Sequence, residues 1–243
     1  MALPLVALHG WGADTRVWPE DLKKSDVYQW FGVDLPGHGR QAAVSTGDFA
    51  IALERIAAAA PGRCHVLGWS LGAQFALAWA ERYPAQVERL VLIAATPRFV
   101  AAPGWPAGMA PQSFEDFAAA VEGEPAAAWR RFMVLQAQGD LQPKAVARAL
   151  RSALGMQPPA APAALRDSLA WLRHNDLRQT CTEIRQPCMV VHGTEDRITP
   201  RAAGEWLAAH LPAARLHRVE GSAHAPFLAA PAVFRDDVEA FLS

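Results

Sequence analysis

Gly68-Trp69-Ser70-Leu71-Gly72 is the stretch on which the reading of this chain turns. It lies between an apolar run, Arg63-Cys64-His65-Val66-Leu67, and a helix-patterned run, Ala73-Gln74-Phe75-Ala76-Leu77-Ala78-Trp79-Ala80. Strand, sharp turn, helix is the context in which G-x-S-x-G sets a serine on a nucleophile elbow. The glycines have a physical reason. A serine forced into a strained turn presses the residues two before and two after it against the adjacent strand and helix, where a Cβ would clash. The plainer alternative is a glycine-flanked serine that only caps a helix. It weakens as soon as partner residues are found.

The order of elements outward from Ser70 predicts an α/β fold. Leu3 to Leu8 and Tyr28 to Asp34 are strand-length apolar runs, the second ended by Leu35-Pro36-Gly37-His38-Gly39. A helix fits Asp48 to Ala60, with Pro61-Gly62 as its stop. Val87 to Ala94, Cys188 to Gly193 and Arg215 to Val219 read as further strands. A closing helix from about Ala232 to Leu242 places Val233, Phe234, Val238, Phe241 and Leu242 at helical spacing. Apolar strands alternating with helices imply a mostly parallel sheet covered on both faces. Between Pro97 and about Arg185 the pattern becomes alanine-rich and helical, broken by prolines from Pro103 to the cluster Pro158-Pro159-Ala160-Ala161-Pro162. The expected organisation is a core of residues 1–97 and 186–243, with residues 98–185 inserted as a helical lid within one structural domain.

Composition bounds the function. With 243 residues, 51% of them hydrophobic, the chain can bury a full core. A formal net charge of −1 argues against a nucleic-acid or membrane-surface protein. No signal-peptide pattern or transmembrane-length run is evident. Cys64, Cys181 and Cys188 lack metal-ligand spacing and read as buried thiols of a cytoplasmic protein.

A serine hydroxyl needs a base, and the base needs an orienting acid. His224, in Glu220-Gly221-Ser222-Ala223-His224-Ala225-Pro226-Phe227, follows the last strand and is the best base. Asp196, in Gly193-Thr194-Glu195-Asp196-Arg197, follows the preceding strand and is the best acid, with Glu195 its direct competitor and Asp34 a distant one. Loops at the carboxyl ends of strands are where side chains reach a ligand in an open α/β sheet. His65, His192 and His217 lie in strands and read as packed or surface histidines; His38 and His174 are loop histidines out of order for the base. An oxyanion hole needs backbone N–H donors. Leu71, next after the serine, supplies one, and Trp11 in the Gly-rich loop His9-Gly10-Trp11-Gly12 is the candidate for the other.

His9-Gly10-Trp11-Gly12, Asp34-Leu35-Pro36-Gly37-His38-Gly39 and Gly68-Trp69-Ser70-Leu71-Gly72 together resemble the α/β-hydrolase superfamily. Trp11, Trp69, the run Arg131-Phe132-Met133-Val134-Leu135-Gln136, Asp176-Leu177-Arg178 and the ending Ala223-His224-Ala225-Pro226-Phe227 narrow the likeness. They resemble the pimeloyl-[acyl-carrier protein] methyl ester carboxylesterases of biotin synthesis. The resemblance implies Ser70, Asp196 and His224 as nucleophile, acid and base. It implies substrate contacts at Trp11, Ser70, Leu71, Phe132, Met133, Val134, Leu135, Gln136 and His224. It also implies an acyl carrier protein as partner and no metal or cofactor, in a chain expected to be monomeric with no nucleic-acid or membrane partner. Two features depart from the family: the chain starts almost at the His-Gly strand, and the lid is unusually rich in Ala and Pro. The residues add a supporting feature. Arg130, Arg131, Lys144, Arg148 and Arg151 face a single acidic residue, Asp140, between Ala126 and Arg151, and such a basic face steers an acidic carrier. A solvated helix face is the plain alternative. The rivals to this esterase are a generalist for short acyl esters, a lyase or C–C hydrolase on the same fold, and a non-catalytic ligand receptor.

Overall fold

Apolar runs bounded by turns become strands here wherever a helix can cover them on both sides. The computed structural model describes residues 2–243 and contains one sheet of six parallel strands. These are β1 (Pro4–Leu8), β2 (Gln29–Val33), β3 (Cys64–Trp69), β4 (Val87–Ile93), β5 (Cys188–Gly193) and β6 (Ala214–Val219), in the order β2-β1-β3-β4-β5-β6. β3 and β5 are buried at every position, whereas the edge strands β2 and β6 are partly exposed along their length. Continuous burial of inner strands is the mark of a parallel sheet covered on both faces.

Helices α1 (Phe49–Ala59), α2 (Leu71–Arg82), α8 (Arg201–His210) and α10 (Pro231–Leu242) belong to the core segments, with the short α9 (Pro226–Ala229) after β6. Asp48 caps α1 by accepting from the Ile51 N–H at 2.8 Å. The closing helix differs from its predicted face at one residue: Phe234, Val238, Phe241 and Leu242 are buried, but Val233 stands in solvent. It sits one position off the stripe that the other four form.

The chain between β4 and β5 folds into α3 (Pro111–Gly123), α4 (Pro125–Leu135), α5 (Pro143–Leu154), α6 (Pro162–His174) and the single turn α7 (Arg178–Cys181). Four of the prolines that break the sequence pattern, Pro111, Pro125, Pro143 and Pro162, are the starts of α3, α4, α5 and α6. At a first helical position the missing N–H costs nothing and the fixed φ already suits the helix. The two ends of this segment are tied together. The Leu177 N–H donates to the Pro97 carbonyl at 2.8 Å, and Asp176 bridges Arg98 and Arg178 at 2.7 Å each.

Strand order reverses direction at β1, which has β2 on one side and β3 on the other. The crevice outside the carboxyl ends of such neighbours is the usual ligand site of an open α/β sheet. The loop after β1 carries His9 to Gly12, and the turn after β3 carries Ser70.

Candidate active site

Ser70 has φ 55° and ψ −113°, a left-handed backbone that a residue with a Cβ rarely adopts. The strain holds because its surroundings fix it. The Ser70 N–H donates to the Ile93 carbonyl at the end of β4 at 2.9 Å, and a Cβ on Gly68 or Gly72 would strike backbone, that of Gly72 in the first case and of Leu8 in the second. The serine therefore sits on a sharp corner between β3 and α2, as the sequence motif predicts.

Asp196 and His224 meet behind it. His224 Nδ1 donates to Asp196 Oδ2 at 2.8 Å, with both side chains buried. Asp196 Oδ1 accepts the N–H groups of Ile198 (2.8 Å) and Thr199 (3.0 Å), and Oδ2 also accepts the Thr199 hydroxyl at 2.7 Å. Burial alone would raise this carboxyl, but the His224 charge and hydrogen bond, His192 and Thr199 outweigh it and hold Asp196 below the usual carboxylate range. Glu195, the competing carboxylate, is exposed. Asp34 lies elsewhere, its oxygens taken up by the N–H groups of Thr15 and Arg40 and by the Arg40 guanidinium. His224 Nε2, on the far side of the ring from Asp196, is buried and has no hydrogen-bond partner among the described residues. The Trp69 indole donates to the His224 carbonyl at 2.8 Å, which ties the histidine loop to the residue before Ser70.

The loop after β1 is held by its own first residue, His9. His9 Nδ1 donates to its neighbour's carbonyl, Gly10 O, at 2.8 Å, and Nε2 accepts the Leu35 N–H at 2.9 Å. Burial lowers the pKa of His9, which fits an imidazole that must stay neutral to accept at Nε2. Neither the Trp11 nor the Leu71 N–H donates to another backbone group among the loop and turn bonds of the described residues. Trp11 lies in the loop after β1 and Leu71 directly follows Ser70 after β3, the two loops at the switch point.

The helical segment closes over these loops. The Trp11 indole donates to the Leu165 carbonyl of α6 at 3.0 Å and packs edge-on against Phe117 and Phe132, with centroids 5.2 and 5.1 Å away. The Trp129 indole of α4 donates to the Gly12 carbonyl at 2.6 Å. The run from Phe132 to Gln136 divides: Phe132, Met133 and Gln136 are buried, while Val134 and Leu135 are exposed. Ser70 and His224 are themselves only 6% and 1% exposed, so an ester reaches the hydroxyl by displacing part of this cover.

On the outer side, α4 and α5 enclose a groove of about 360 Å³ with an apolar floor that includes Trp129, Met133 and Leu150. Arg130, Lys144, Arg148 and Arg151 line it, and Arg131 lies on α4 outside it. None of these five makes an ion pair among the described residues. Of the histidines read as bystanders, His217 lies 3.5 Å from Asp237, His174 is exposed, and His65 and His38 are buried. His192 is packed in β5, as that reading has it, and its packing is against the acid. Its Nε2 donates to the Thr199 carbonyl at 2.8 Å and stands 3.6 Å from Asp196 Oδ2, so it belongs to the shell that holds the acid.

The profile of the alpha/beta hydrolase family matches residues 5–237. This chain belongs to that family. The hydrolase is 38% identical over 232 residues to the pimeloyl-[acyl-carrier protein] methyl ester esterase of Nitrosomonas europaea, covering 95% of this chain and 92% of that one. It is 40% identical to the protein of the same name from Aromatoleum aromaticum, covering 96% and 97%. Among solved structures it superposes on an esterase from Exiguobacterium antarcticum with a TM-score of 0.86 at 23% identity, over 99% of this chain and 92% of that one. A bromoperoxidase from Bacillus anthracis superposes with a TM-score of 0.88 at 19% identity, over 100% and 92%. Relatives with these different activities share the hydrolase frame, so the frame alone leaves the reaction open. No helix of the described residues is long and apolar enough to cross a membrane.

Proposed function

We propose that this hydrolase is a serine carboxylesterase that cleaves the methyl ester of a pimeloyl chain carried on acyl carrier protein, a step of biotin synthesis. The observation that carries the chemistry is the buried Asp196–His224 pair set behind an elbow serine. The names of the relatives supply the substrate class.

Ser70 Oγ attacks the ester carbonyl while His224 Nε2, the unpartnered nitrogen, takes its proton. Asp196 holds the ring in the tautomer with hydrogen on Nδ1 and stabilises the imidazolium that forms. The Leu71 and Trp11 N–H groups hold the oxyanion. Collapse breaks the bond to the methoxy group, which leaves as methanol with the proton from His224. Water then attacks the acyl-enzyme by the same route, and the free carboxylate departs with Ser70 reprotonated. Residues 98–185 act as the lid, with Phe132, Met133, Val134, Leu135 and Gln136 along the passage of the acyl chain. The unpaired cations Arg130, Lys144, Arg148 and Arg151 around the outer groove, with Arg131 beside it, receive the acidic carrier.

Methanol release from pimeloyl-carrier methyl ester, compared with release from free short methyl esters, tests this reading. The expected result is a much higher kcat/KM on the carrier-bound ester and none from Ser70→Ala. Equal turnover of free short esters would make the protein a generalist. Labelling by a covalent serine probe that survives Ser70→Ala would remove the proposed nucleophile.

A further inference from the structure

The loop that carries His224 is held by the core on one side, through Thr194, Val219, Glu195, Trp69 and Asp196, and by the helical segment on the other, where a buried carboxylate without a cation sits at the centre of the contact. Asp140 lies in the turn between α4 and α5, 82 and 83 residues before the Ser222 and Ala223 it grips, and is 7% exposed. Its Oδ2 accepts the Ser222 hydroxyl at 3.0 Å and the Ala223 N–H at 2.9 Å, and its Oδ1 accepts the Gln142 N–H at 2.8 Å. The backbone on either side repeats the grip. The Leu141 N–H donates to the Gly221 carbonyl at 2.7 Å, and the His224 N–H donates to the Gln136 carbonyl at 3.1 Å. Every residue from Gly221 to His224 is therefore bonded to the strap 136–141. Ser222 carries the constraint further, because its carbonyl accepts the Glu195 N–H at 2.9 Å, beside Asp196.

We infer that Asp140 is a positioning residue: from the lid it fixes the loop 221–224 so that the imidazole of His224 stays seated on Asp196 and turned toward Ser70. The inference rests on the triad proposed above. Its chemical basis is the donor count. All three partners of Asp140 are donors, and an ionised carboxylate is the side chain that only accepts. A buried carboxylate is costly unless every bond is made, so its place here specifies one loop geometry. The strap also continues directly from Phe132–Gln136, so whatever moves the end of α4 moves the seat of the base.

The test is a set of variants measured per active site, with the active fraction titrated by a fluorophosphonate probe and a small chromogenic ester as substrate. A base displaced by about 1 Å costs on the order of 10²-fold. Asp140→Ala is expected to lower kcat per titrated site by about 10- to 100-fold with KM nearly unchanged. Asp140→Asn keeps one acceptor but turns an N–H toward a donor, and is expected to fall between Ala and the unaltered protein. Ser222→Ala leaves the Ala223 bond intact and is expected to cost a few-fold; Asp140→Ala/Ser222→Ala is expected to be no worse than Asp140→Ala, since Asp140→Ala already removes the Ser222 contact. An unchanged kcat per titrated site, whatever happens to Tm, would overturn the inference, as would a rise in KM alone or full additivity in the double variant. If Asp140→Ala fails to fold, Ser222→Ala decides, and an unchanged kcat there counts against the inference. Ser70→Ala separates the two levels: surviving turnover in that variant removes the triad itself, whereas a dead Ser70→Ala beside a fully active Asp140→Ala removes only the strap.

Discussion

The helical segment 98–185 meets the loops around Ser70 on two sides with different chemistry. At the loop after β1 the contact is mainly aromatic: Trp11 donates to Leu165, Trp129 donates to Gly12, and Phe117 and Phe132 pack around the Trp11 ring. On the base side it is a short polar strap, in which a carboxylate and two backbone bonds grip residues 221–224. The aromatic contact is broad and spreads its energy over many weak atom pairs, so it yields gradually. The strap is a set of directional bonds, each lost outright when its geometry fails.

The largest expected effects fall on the groups that the two sides serve in common. Ser70→Ala should lower kcat for methyl ester hydrolysis by about 10⁴-fold or more, and Asp196→Asn by about 10⁴-fold, because an amide permits the wrong tautomer of His224. Steady-state methanol assays on folded, active-site-checked protein measure both. An Asp196→Asn protein within tenfold of the unaltered one would show that the base needs no buried acid.

Next in size is the outer groove, which shares only Trp129 with the aromatic side. Arg148→Glu together with Arg151→Glu should lower kcat/KM on the carrier-bound ester by about 10- to 100-fold and leave a small chromogenic ester unaffected, with the loss shrinking at high salt. If both substrates respond alike, the groove is part of the catalytic shell and not a carrier seat.

A smaller effect is expected where the aromatic side is loosened. Trp129→Phe keeps the packing but removes the bond to the Gly12 carbonyl, a loss of about 1 kcal/mol. Tm should fall by about 2–4 °C and kcat by only a few-fold. A fall in kcat as large as that from breaking the polar strap would erase the contrast between the two sides.

The last effect is on stability alone, with no change in rate, and it is read through pH. His9, His38 and His192 are pushed down chiefly by burial, His38 to about 3. Such histidines stay neutral in the fold while the unfolded chain takes up protons below its ordinary value near 6.5. Stability is fully present above that value; for His38 it falls as pH drops toward 3, by about 1.4 kcal/mol per pH unit, and His9 and His192 add losses in the same direction. Urea midpoints at pH 7 and pH 5 read this slope, and His38→Asn should flatten it by one histidine's share. Asp196 adds a loss in the same direction only at more acid pH, below its ordinary value of 3.8.

The contrast between the two sides also explains what the sequence discloses. The sheet is legible because inner strands are apolar runs between turns, and the elbow is legible because Gly68 and Gly72 answer to a backbone clash that any side chain would make. Asp196 and His224 are legible by chain order and by their place after β5 and β6. Which of Glu195 and Asp196 turns inward depends on Ile198 and Thr199 offering their N–H groups, a loop geometry with no period to read. His9, His192, Thr199 and Asp140 escape for the same reason. Each is one polar residue whose partner lies in another loop, and in sequence it looks like any buried or solvated residue. His192 carries one faint signal, since it sits four residues before Asp196 at the end of an otherwise apolar strand. The prolines mislead in the opposite sense, because Pro111, Pro125, Pro143 and Pro162 read as breaks and are helix starts.

The strap bears on how far the lid can be treated as an interchangeable module. Insertions between β4 and β5 look like free-standing attachments, joined at the Pro97–Leu177 base and open to replacement. Here the insertion supplies hydrogen-bond partners to the catalytic loop of the core. A foreign lid grafted at that base would leave the Gly221 carbonyl and the Ala223 and His224 N–H groups without their partners, and the core would fold around a misplaced base. Exchange of specificity in this hydrolase has to keep residues 136–141 with the core, or bring a donor lid whose own turn matches the loop at 221–224.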